Sequence, residues 1–60
     1  MPNEAKMHSI RSKTTSLKEA AELFGRCPDD KKRARIAVMR ETAQDIVRLL
    51  SEVESELPAA

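Results

Sequence analysis

Tryptophan and tyrosine are missing from this chain, and phenylalanine, glycine, cysteine and histidine occur once each. Each scarcity closes off a class of chemistry. With Phe24 as its one aromatic side chain the sequence has no stacking platform for single-stranded nucleic acid, and strands, which favour aromatic and β-branched residues, lose much of their support. One glycine, Gly25, builds no phosphate-cradling loop. Cys27 has no partner for an internal disulfide, and with His8 alone beside it there is no cluster at zinc-ligand spacing. No stretch approaches the roughly 18 apolar residues of a membrane span, and the first fifteen residues lack the apolar centre of a secretory leader, so a cytoplasmic address is expected.

Catalysis is not expected either. His8 has no acidic neighbour in sequence, and Asp29 and Asp30 oppose activation of the Cys27 thiol at a helix start. A chain of 60 residues has little room to enclose a substrate pocket of a few hundred Å³. No cofactor and no metal are called for. A chain of this length buries only about 60% of the surface its unfolded form exposes, and domains so small add disulfides, a metal or oligomerisation. Only oligomerisation, or docking on a larger protein, is left.

The composition is rich in Ala, Leu, Glu, Lys and Arg, all good helix formers, and the expected fold class is all-α. Residues 1–15 contain Pro2, Asn3 and a polar cluster and show no sustained helical period, which predicts a mobile basic arm with Met7 and Ile10 as its sizeable apolar groups. Ser16-Leu17-Lys18-Glu19 has the form of a capping box. Leu17, Ala20, Ala21 and Phe24 then recur at helical spacing, with Leu23 at the edge of the stripe, predicting a short helix over about 16–25 closed by a left-handed Gly25. Pro28-Asp29-Asp30 is a second helix start, with Cys27 or Asp29 as the cap. Nothing breaks this second helix before Pro58, so a long amphipathic helix over about 28–57, folded back as a hairpin, is expected, with 58–60 as a tail.

The segment Ser16 to Gly25 resembles the first helix and turn of excisionase-like and MerR-like winged helix-turn-helix domains, which would imply DNA binding. The resemblance covers ten residues of sixty. Beyond Gly25, the segment Arg26-Cys27-Pro28-Asp29-Asp30 and the charged run after it depart from the compact, aromatic-anchored recognition helix of that family.

The strongest periodic signal lies on the long helix, where Ile36, Met39, Ala43, Ile46, Leu50, Val53 and Leu57 alternate spacings of three and four as a heptad seam. Val47 and Leu49 broaden it, which suits a bundle more than a two-stranded rope. A short helix over 16–25 does not cover a seam of that length. A second copy of the chain is therefore the expected partner, in a dimeric or larger helical bundle with antiparallel packing. Charge supports this, since residues 1–40 hold ten Lys and Arg against five Asp and Glu, a net of +5, while residues 41–60 hold one against five, a net of −4. An antiparallel neighbour lays basic half along acidic half.

Two functions are expected on these grounds. The first is a small homo-oligomeric regulator or adaptor that acts by protein–protein binding through the seam, with a larger protein partner as a further occupant. The alternative is a dimeric DNA-binding transcriptional regulator whose arm, through Arg11 and Lys13, and whose cluster of Lys31, Lys32, Arg33 and Arg35 contact phosphates. The acidic C-terminal half argues against an anionic membrane surface.

Overall fold

The computed structural model describes residues 4–58 and consists of two antiparallel helices, α1 (Glu4–Phe24) and α2 (Asp29–Glu56), packed along each other as a hairpin. The fold is all-α and a two-helix hairpin, as the composition and the second helix start imply. Its extents are 47 × 15 × 15 Å and its radius of gyration is 14.4 Å, against roughly 10 Å for a compact domain of this length. It is a rod.

The first helix is much longer than its sequence signals imply. In place of a mobile arm over residues 1–15, the chain is helical from Glu4, and the start of the expected short helix, Ser16, lies in the middle of α1. Residues 1–3, the start of that arm, lie outside the described residues, as do 59 and 60 of the tail. Two features reconcile the polar run with a helix. Thr14 Oγ1 donates to the Ile10 carbonyl at 2.7 Å and Thr15 Oγ1 to the Arg11 carbonyl at 3.0 Å, so both hydroxyls are satisfied one turn back along the helix. Ile10, moreover, is the one buried apolar side chain among the described residues, and tertiary packing rather than propensity supports most short helices.

The turn also differs in detail. Helix α1 stops at Phe24, immediately before Gly25, but Gly25 does not take a positive φ. The chain instead tightens through Arg26 N–H to the Leu23 carbonyl, 2.9 Å, and Cys27 N–H to the Phe24 carbonyl, 3.1 Å. Such three-residue bonds are a common way to close a last turn. Pro28, rather than Cys27 or Asp29, caps α2, in an extended conformation and with no side-chain capping bond. Its carbonyl accepts from Lys31 N–H at 2.9 Å, and Asp29 and Asp30 occupy the first turn, where the helix dipole favours carboxylates. At the other end Leu57 leaves the helix in an extended conformation ahead of Pro58.

Candidate interaction surface

Two seams run along α2, and they divide the expected one between them. The inner seam of α2, Met39, Thr42, Ile46, Leu49 and Val53, is half-buried where the two helices pack, and on α1 Ile10 is buried and Leu17, Ala20 and Phe24 are half-buried. The outer seam is Ile36, Arg40, Ala43, Val47, Leu50, Glu54 and Leu57, again at alternating spacings of four and three. Its large apolar members stay in water, with Ile36 42% exposed, Leu50 47%, Leu57 59% and Val47 62%. Ala43 lies at the border and is half-buried. A single neighbouring helix covers one stripe, so the broad apolar arc of α2 is covered on one side only.

The inner seam contains lysine at two positions of α1. Lys6, Ile10, Lys13, Leu17, Ala20 and Phe24 run along one face with spacings of four and three, and all are buried or half-buried. Lys6 donates to the Glu56 carboxylate and its Nζ lies 3.4 Å from Glu52, so one ammonium sits between two carboxylates one turn apart. What would be a repelling i,i+4 pair becomes a clasp. The hydrogen bond to Glu56 raises the Lys6 pKa above its ordinary value, outweighing the opposing effect of burial. Lys13 Nζ lies 3.5 Å from Asp45, and Arg48 bridges Asp45 at 3.2 Å and Glu52 at 3.9 Å. The basic strip that complements the acidic half of α2 is therefore α1 of the same chain.

This redistributes the residues considered for phosphate contact. Lys13 is engaged in the inner seam, and Lys32 lies 3.5 Å from Asp29 with its Nζ 5.4 Å over the Phe24 ring. Lys31, Arg33 and Arg35 are exposed and make no ion pair among the described residues. Arg11 is exposed beside His8, Ser12, Thr15 and Ser16, about 20 Å along α1 from the turn. The six basic residues do not form one patch. Among the described residues no group of three or more His, Cys, Asp or Glu is placed to hold a metal ion, and no helix is long and apolar enough to cross a membrane.

Local sequence pattern does not reveal α1 as a partner for most of α2, because Lys6 and Lys13 interrupt its apolar period. The recoverable signal is the seven-residue spacing of Ile10, Leu17 and Phe24, with Ala20 between the last two.

The hairpin leaves little protected interior. No side chain among the described residues is fully buried, and the chain exposes 5017 Å². A compact monomer of 6.7 kDa exposes roughly 3,900 Å² by the usual scaling of surface with mass. The excess, about 1,100 Å², is of the order of the roughly 800 Å² per partner of a standard protein interface. An apolar groove of about 430 Å³ on this exposed side is lined by Val47, Leu50, Ser51, Val53, Glu54 and Leu57. Comparison of the chain with protein-family models, with curated proteins and with solved structures returned no match.

Proposed function

We propose that this chain is a small helical regulator or adaptor that works by binding protein, and that its first partner is a second copy of itself. The observation that carries the reading is the exposed outer seam, Ile36, Val47, Leu50 and Leu57, on a helix whose adjoining inner seam is already occupied. About half of each side chain is still in water, so full burial by a partner would add roughly 1 to 1.5 kcal/mol for each. Joining two hairpins along this seam forms a four-helix bundle, the architecture in which short amphipathic helices commonly reach useful stability.

Thermal unfolding at several protein concentrations tests the reading. Association stabilises by mass action, so the midpoint should climb as concentration rises from low to high micromolar. A midpoint independent of concentration, with full helicity at every one, would overturn it.

The second reading, a dimeric duplex binder, draws on Lys31, Arg33 and Arg35, which have no ion-pair partner among the described residues. It uses the same dimer and adds phosphate contacts near the turn. A dimer that shows no duplex affinity at low salt leaves the adaptor reading alone.

A further inference from the structure

The outer seam is nearly symmetric about its own centre, which constrains how two copies meet. In chain order it runs Ile36, Arg40, Ala43, Val47, Leu50, Glu54, Leu57. Reversed and laid against itself about a point next to Val47, Ile36 falls opposite Leu57, Arg40 opposite Glu54, and Ala43 opposite Leu50, with Val47 meeting its own counterpart. Each juxtaposition is chemically matched. The small Ala43 receives the branched Leu50, as interdigitating helices require. Arg40 and Glu54 are both exposed, and neither makes an ion pair among the described residues.

From this we infer that two copies join along α2 in antiparallel orientation, with a two-fold axis beside Val47 and reciprocal Arg40–Glu54 pairs on either side of it. This rests on the self-association proposed above and adds its register. A parallel pairing would align Arg40 with Arg40 and Glu54 with Glu54, setting like charges opposite one another at two places, and would leave Ala43 facing Ala43 across a gap. Isologous contact, in which residue i meets j and j meets i, is the natural geometry of a two-fold dimer. The antiparallel arrangement also places the two turns, with Lys31, Arg33 and Arg35 close behind them, at opposite ends of the assembly, where their charges do not repel.

Site-directed cross-linking of the full chain in a Cys27→Ser background tests the register. Under mild oxidation Val47→Cys should link to itself, Ile36→Cys should link to Leu57→Cys when the two proteins are mixed, and neither of those two should link efficiently alone. Ala37→Cys, which is exposed and off the seam, reports collisional background. The charge pair supplies an independent arm. Arg40→Glu should weaken association by about tenfold and Arg40→Glu with Glu54→Arg should restore it. An oligomer in which Ile36→Cys links to itself and Val47→Cys gives only background, or in which the double charge swap fails to restore association, overturns the antiparallel register while leaving self-association standing. A monomer under all conditions overturns both.

Discussion

Lys13 Nζ lies 3.5 Å from Asp45, joining a lysine at a seam position of α1 to a carboxylate on the facing edge of α2. A lysine in that position covers apolar surface with its stem only, and together with Lys6 its ammonium favours this register by charge. Sliding α1 by one turn would separate Lys13 from Asp45 and leave Lys6 beside one of Glu52 and Glu56 instead of between the two. Both side chains of the Lys13 pair are 39% exposed, so solvent screens the pair and its direct contribution is about 0.5 kcal/mol.

Charge reversal at this pair should show a rescue pattern. Lys13→Glu is expected to lower the urea midpoint, Asp45→Lys to lower it further because it also breaks the Asp45–Arg48 pair, and the double variant to recover part of the loss. A double-mutant cycle from urea unfolding gives the coupling, expected near 0.5 kcal/mol and shrinking as salt is raised.

Ile10 is the one buried apolar side chain among the described residues, so truncating it should cost more than any truncation on the outer seam costs an isolated hairpin. Ile10→Ala is predicted to destabilise by about 2 kcal/mol, at the lower end for buried isoleucine because the site is at the edge of burial. Far-UV circular dichroism against urea checks the value. A residue in a mobile arm would show no such loss, so the same experiment tests the continuous α1 helix.

Lys6 gives the hairpin an alkaline dependence. Its folded pKa is raised by its hydrogen bond to Glu56, so its contribution is complete below the unfolded lysine pKa of about 10.4 and is lost as pH rises through the higher folded value. Stability from urea unfolding should therefore decline in that alkaline window. In Lys6→Met the part of the decline due to this clasp should disappear.

For the duplex-binding reading, the exposed residues near the turn make the discriminating variant. If the dimer binds duplex DNA, Arg33→Ala with Arg35→Ala should reduce affinity and make the salt dependence shallower by about two phosphate contacts for each copy that engages the duplex, while Lys13→Ala, whose ammonium faces Asp45, should change the slope little. Titration of a labelled duplex at several salt concentrations measures both.

How much of this is legible in the sequence depends on which force places each residue. Helix α2 is readable because Pro28 starts it, Pro58 comes after it and apolar side chains mark every turn between Ile36 and Leu57. Helix α1 is only half readable, since Leu17 to Phe24 carry an apolar period while Lys6, Lys13, Thr14 and Thr15 do not. Those residues are held by ion pairs across the hairpin and by hydroxyl bonds to carbonyls one turn back, interactions that depend on contacts a local pattern does not display. The seam reads as one stripe in the sequence and is two in the fold. Which half faces α1 depends on tertiary packing, and spacing alone assigns Met39 and Leu50 to the same line although Met39 is half-buried and Leu50 is left in water.

Self-association along the outer seam is tested most simply by the mass in solution, from sedimentation equilibrium of the chain as it stands and of Leu50→Glu. Leu50 contributes to the outer seam, and replacing it leaves the inner one intact. A dimer is predicted at tens of micromolar for the unmodified chain, with a marked shift toward monomer for Leu50→Glu. A fully helical monomer for the unmodified chain at that concentration would refute self-association through this seam.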